Sequence, residues 1–190
     1  MISKDAKIVV VGAGAIGGIT AAFIKKAGWN PLLVCKHQET MELATAPGLH
    51  ITGTKGNYRV ALKAVKSISD LSGRQDLVFL ATKATDCLEA ADALLAFLKP
   101  ESMVVSLQNG ICEDALAEVI GRERVIGCVV GWGATHRGPA ELEATSEGEF
   151  VIGNIDHKPD DRLEPIKEIR KGLWRVHPLK FRRKSDGYGN

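Results

Sequence analysis

The chain has 190 residues, 45% hydrophobic and 25% charged, with a formal net charge of +2. That length holds one good domain, or a domain plus a fragment, and the composition is ordinary for a soluble globular protein. No apolar run approaches the roughly 18 residues that span a bilayer. The opening Met1-Ile2-Ser3-Lys4-Asp5 lacks the parts of a secretory signal, so a cytoplasmic location is expected.

In chain order, Lys7–Val11 reads as a buried strand and Ala15–Ala27 as a helix, with Gly28 as its C-terminal stop. Pro31–Cys35 is a second strand, and Gln38–Ala46 a short helix stopped by Pro47-Gly48. Leu49–Ile51 and Tyr58–Ala61 form strands around a Gly53/Gly56 turn, and Asp76–Ala81 is a strongly apolar strand. Thr85–Phe97 is a helix with Leu88, Ala91, Leu94, Leu95 and Leu98 expected on one face. Met103–Leu107 is a strand, Glu113–Ile120 a helix ended by Gly121, and Val125–Val130 a further strand. Glu141–Ala144 and Glu149–Ile152 suggest a hairpin around Gly148, and Asp160–Lys171 a last helix. Strands alternating with helices at this spacing predict an α/β fold, a Rossmann-like doubly wound, mostly parallel sheet with helices on both faces. The boundaries expected are 1–172 for the dinucleotide-binding domain and 173–190 for a basic tail or truncated linker.

Cys35, Cys87, Cys112 and Cys128 are widely and irregularly spaced, and the five histidines form no H-x-x-x-H pair. Neither a disulfide framework nor a metal site is expected. The sequence Gly12-Ala13-Gly14-Ala15-Ile16-Gly17 directly follows the apolar run Ile8–Val11. This G-x-G-x-x-G lies between a strand and a helix, where a dinucleotide-binding turn belongs. Gly12 permits the tight turn, Gly14 the approach of a pyrophosphate, and Gly17 close packing of helix on strand. The helix adds backbone N–H groups and the positive end of its dipole. A glycine-rich packing turn without a ligand is the plain alternative.

An acid at the end of the second strand suits the ribose hydroxyls of NAD, and a base there suits the 2′-phosphate of NADP. Here Leu32-Leu33-Val34-Cys35 runs into Lys36-His37, and Glu39 lies beyond the turn. NADP(H) is therefore favoured, although Lys36 can also be read as a solvated charge at a strand end.

Ala81-Thr82-Lys83-Ala84 follows the fourth core strand, Leu107-Gln108-Asn109-Gly110-Ile111 the fifth, and Gly133-Ala134 lies further on. With the glycine turn and Lys36, these clusters resemble the ketopantoate reductase (2-dehydropantoate 2-reductase) family over roughly residues 7–153. The resemblance implies NADPH-dependent reduction of 2-dehydropantoate to pantoate, on the route to pantothenate and coenzyme A. It implies that Gly12, Ala13, Gly14, Ala15, Ile16 and Gly17 hold the pyrophosphate and Lys36 the 2′-phosphate. Lys83 and Asn109 would meet cofactor and substrate, and Ala134 would make a backbone contact to the cofactor. The plain alternatives are a helix-start lysine for Lys83 and a turn for Asn109-Gly110.

The family draws its general-acid lysine and a supporting glutamate from a second, helical domain, which this chain is expected to lack. Leu173-Trp174-Arg175-Val176 is similar to the family's lysine segment, but Val176 stands at the lysine position. The catalytic residue is therefore left unassigned, and the chain alone is expected to bind NADPH weakly and turn over poorly or not at all. A small-molecule 2-oxo acid is the expected partner, with no membrane, and a homodimer is expected if the face left uncovered is apolar. The basic tail has few aromatics and no module to support nucleic-acid binding. A stand-alone NADP-binding regulatory module, or a reductase of another 2-oxo acid, is the alternative.

Overall fold

A computed structural model describes residues 3, 5–108, 112–156, 158, 160–169 and 176–178. The chain opens with β1 (Ile8–Val11), α1 (Ala15–Lys26) and β2 (Leu32–Val34). Then come α2 (Gln38–Leu43), β3 (Leu49–Gly53), β4 (Tyr58–Val60) and β5 (Lys63–Val65). β6 (Gln75–Leu80), α3 (Cys87–Leu94), β7 (Leu98–Ser106), α4 (Glu113–Ile120) and β8 (Val125–Val130) continue the alternation. The remainder holds β9 (Ala134–Gly138), β10 (Glu141–Ala144), β11 (Phe150–Asn154), α5 (Leu163–Ile169) and β12 (Val176–Pro178).

Among the described residues the larger sheet runs β12-β11-β8-β7-β6-β1-β2-β5. Neighbours are parallel from β5 through β8, and β11 joins β8 antiparallel. Counting only the six parallel strands in chain order, the sequence across the sheet is 3-2-1-4-5-6, the doubly wound arrangement. Both faces are covered, so adjacent residues of one strand enter opposite cores. Ile8, Val10, Leu77, Phe79 and Val105 pack with α1, whereas Val9, Val11, Val78, Leu80 and Val104 pack with Leu94 of α3 and Leu116 of α4.

A second sheet, β4-β3-β10-β9, covers the outer side of α1. Its Ile51, Leu142 and Ala144 share one core with Ile19 and Phe23. Clamped between two sheets, α1 is buried from Gly17 to Ile24 without a break, and so lacks a polar face over that stretch.

Three expectations need correction. The helix after β2 ends at Leu43, not Ala46: Ala46 sits at φ −154°, ψ 124°. A residue before proline is pushed out of helical conformation, so the break falls ahead of Pro47. The segment expected as one helix over 85–97 is α3 flanked by single 3₁₀ turns, Ala84–Asp86 and Leu95–Phe97. Its inner face is Cys87, Ala90, Ala91 and Leu94, while Leu88 and Leu95 are 45% and 44% exposed. Cys87 acts as a small apolar residue and turns the buried stripe by one position. Finally, β10 and β11 do not form a hairpin with each other. β10 pairs with β9 and β3, and β11 pairs with β8 in the other sheet. The tight connection is instead Pro139-Ala140, where Ala140 adopts φ 59°. Near Gly148 the chain crosses between sheets, with Gly131 N–H donating to the Glu149 carbonyl at 2.8 Å. β5, β9 and β12 were not expected, and β12 lies in the segment read as tail.

Candidate functional site

The strand order reverses between β1 and β6, and a doubly wound sheet opens a crevice at the carboxyl ends of such strands. Both strand exits are pinned there. Gly12 N–H donates to the Val34 carbonyl at 3.1 Å, and Ala81 N–H to the Val11 carbonyl at 2.8 Å.

The three motif glycines have different reasons to be glycine. Gly12 has φ +107°, and a Cβ there would lie 2.7 Å from the Ala81 carbonyl oxygen. A Cβ on Gly17 would lie 2.0 Å from the Gly12 carbonyl oxygen. The fold itself requires those two. Gly14 has φ −68°, ψ −177°, which any residue adopts, and a Cβ there would meet nothing within 4 Å. Nothing inside the protein demands a glycine at position 14, and the space in front of its backbone is open. No side chain caps α1 and no acid stands in its first turn. Its N-terminal dipole and N–H groups therefore suit an anion from outside.

The glycine turn floors a cleft of about 420 Å³. Gly12, Ala13 and Gly14 contribute the floor; Lys36, His37, Glu39 and Thr40 come from the β2–α2 side. Ala81, Thr82, Lys83 and Asp86 come from the β6–α3 side, and His136 and Pro139 from the β9–β10 hairpin. Lys36 Nζ lies 3.8 Å from Asp86 Oδ2, and Thr85 Oγ1 donates to Asp86 Oδ1 at 3.0 Å. Ser106 Oγ donates to Gln108 Oε1 at 2.7 Å, and Gln108 Nε2 to Thr82 Oγ1 at 3.3 Å. This chain of bonds, buried at Ser106 and Gln108, ties the end of β7 to the end of β6 at Thr82. Burial pushes the Cys35 thiol beside the cleft up to about 12. Cys87, beyond Asp86, is raised to about 12 by burial and by nearby Cys112. Both thiols stay protonated near neutral pH, which removes them as nucleophiles.

Of the residues singled out in the sequence, Gly12, Ala13, Gly14, Lys36 and Lys83 meet in the cleft. Ala15, Ile16 and Gly17 form the first turn of α1 behind it. Ala134 lies on β9 opposite Ala144 and is not part of the lining, although His136 of the same strand is. Asn109 lies outside the described residues. Asp86, His37, Thr40, His136 and Pro139 were not foreseen. Asp86 alone had a signal, as an acid three positions after Lys83.

Among the described residues no group of three or more His, Cys, Asp or Glu side chains could hold a metal ion. No described helix is long and apolar enough to cross a membrane.

The family model for ketopantoate reductase PanE/ApbA matches residues 8–157. The chain belongs to this family. The match to the ketopantoate reductases runs from β1 past β11 and so includes the parallel sheet and both sides of the cleft. A curated relative, the 2-dehydropantoate 2-reductase of Pyrococcus abyssi (strain GE5 / Orsay), is 30% identical over 164 residues. That alignment covers 86% of this chain and 52% of the relative. The crystal structure of a PanE/ApbA family ketopantoate reductase from Ralstonia eutropha JMP134 superposes with TM-score 0.80 at 26% identity, over 92% of this chain and 56% of that one. A D-mandelate dehydrogenase solved with NADH and anilino(oxo)acetate shares the fold, with TM-score 0.79 at 22% identity, over 92% of this chain and 57% of that one. The chain spans about half the length of the curated relatives it matches.

Proposed function

We propose that this chain is the coenzyme-binding part of an NADPH-dependent 2-dehydropantoate 2-reductase, which converts a 2-oxo acid to its 2-hydroxy acid. The observation that carries the reading is Gly14, a glycine with ordinary dihedrals and open space in front of it, at the N-terminus of an uncapped helix. In this reading Gly12–Gly17 and the start of α1 bind the pyrophosphate, and Lys36 attracts the 2′-phosphate. Lys83 neutralises the substrate carboxylate, and Asn109 orients the carbonyl against the nicotinamide end. When bound, the dihydronicotinamide supplies the hydride. The alkoxide oxygen left by reduction needs a proton donor, and this reading assigns that role to no residue of the chain. The chain by itself is therefore expected to bind coenzyme weakly and reduce 2-oxo acids poorly or not at all. A homodimer and a cytoplasmic location belong to the same proposal.

A second reading keeps the coenzyme and drops the chemistry: a regulatory module that senses NADP(H). The coverage of about half of each relative favours keeping it open. Calorimetric titration tests the shared part, and saturable heat with NADPH below about 1 mM is expected. Adding 2-dehydropantoate and following the nicotinamide absorbance band tests the chemistry in one direction. Steady loss of that absorbance supports the reductase and contradicts the expectation of negligible turnover. An unchanged trace fits both the module and the reductase part alone.

A further inference from the structure

Lys36 is not alone at the 2′ end of the cleft. Asp86 approaches it from the other side of β1, because β2 and β6 flank β1 and all three release the chain at one edge. The two side chains reach toward each other across the glycine turn, 3.8 Å apart. Thr85 holds one carboxylate oxygen, Oδ1, and leaves Oδ2 to the lysine. Asp86 occupies the N-cap position of α3 yet makes no side-chain capping bond. Two carboxylates line the cleft, Glu39 from the β2–α2 side and Asp86 from the β6–α3 connection, and Asp86 is the one that pairs with Lys36.

We propose that Asp86 sets the coenzyme preference of this cleft by sharing the Lys36 charge. The inference rests on the dinucleotide reading above. A coenzyme with a free 2′-hydroxyl leaves the Lys36–Asp86 pair in place. A coenzyme with a 2′-phosphate must take the lysine from the carboxylate and then sit beside that negative charge. The exposed pair itself is weak and yields readily. Repulsion between the carboxylate and a phosphate dianion remains, and in screened solvent at this range it reduces affinity about fivefold. The glycine turn and the α1 N-terminus act on both coenzymes alike, so the ratio of affinities isolates the 2′ position. Asp86 thereby holds the cleft nearer to dual use of NADPH and NADH than Lys36 alone would.

The test is calorimetric titration of the full chain with NADPH and with NADH, for the wild type, Asp86→Asn, Asp86→Ser and Lys36→Gln. Asp86→Asn and Asp86→Ser are expected to tighten NADPH about fivefold while moving NADH less than about twofold. Lys36→Gln is expected to weaken NADPH about tenfold and spare NADH. An unchanged NADPH-to-NADH ratio in both Asp86 variants overturns the inference and leaves the dinucleotide reading standing. No saturable heat from either coenzyme on the wild type overturns that reading, and the inference with it.

Discussion

Replacing Gly12 with alanine places a Cβ 2.7 Å from the Ala81 carbonyl oxygen, at a φ of +107° that side chains rarely adopt. Gly12→Ala is therefore expected to cost about 2 kcal/mol or more of stability, read by urea denaturation. Gly14→Ala meets no neighbour and loses only the modest preference for glycine over alanine at an N-cap, under about 1 kcal/mol. Its coenzyme affinity is expected to fall at least about tenfold, since the added methyl stands where the pyrophosphate approaches. Equal stability loss in both variants, with binding of the coenzyme untouched by Gly14→Ala, contradicts this division of labour. The motif assigns each glycine its duty in the sequence but does not name the atoms each one meets. Their separate duties depend on what lies opposite each one, and Ala81 is brought against Gly12 only by pairing of β6 with β1.

At the scale of elements, α3 tests which face is buried. Leu94 is fully buried, whereas Leu88 is 45% exposed. Leu94→Ala is expected to lose about 2–5 kcal/mol and Leu88→Ala less than about 0.5 kcal/mol, measured by chemical denaturation. Similarly large losses in both variants would restore the face expected from leucine spacing alone. The start of β6 carries a pH dependence. Burial pushes the Asp76 carboxyl up, but hydrogen bonds from Lys99 Nζ and the Lys7 backbone N–H outweigh it, and the net shift is downward. A lowered carboxyl contributes stability above its unfolded value, about pH 4, and loses it as pH falls through the folded value. Asp76→Asn is thus expected to melt a few degrees lower at pH 7, and to show a shallower loss of stability below about pH 4 than the wild type. A melting temperature unchanged at pH 7 and an identical acid limb count against a structural role for this group. The long elements were legible because their periodicity is strong: α4 and β8 have the expected bounds. β5 has only three residues, too few to show alternation, and its partner β2 lies far back in the chain. The pairing of β11 with β8 rather than β10 is likewise a long-range choice that local turn signals do not encode.

For the molecule as a whole, the cleft is assembled from four remote stretches of chain. Residues at the exits of the first strands, Gly12–Gly14, Lys36 and Lys83, were readable because strand ends of a doubly wound sheet converge. Asp86 reaches the same space through a 3₁₀ turn, its only local signal being its spacing from Lys83, and His136 and Pro139 arrive through the packing of the second sheet, which no local motif announces. The central claim is that this space accepts a nicotinamide dinucleotide, with the turn after β1 taking its pyrophosphate. Isothermal titration of the purified 190-residue chain with NADPH, at concentrations up to a few millimolar, tests it most directly. One-site saturable heat, weakened in Gly14→Ala without loss of fold, is the predicted result. A well-folded chain that gives only dilution heat with both NADPH and NADH would contradict it.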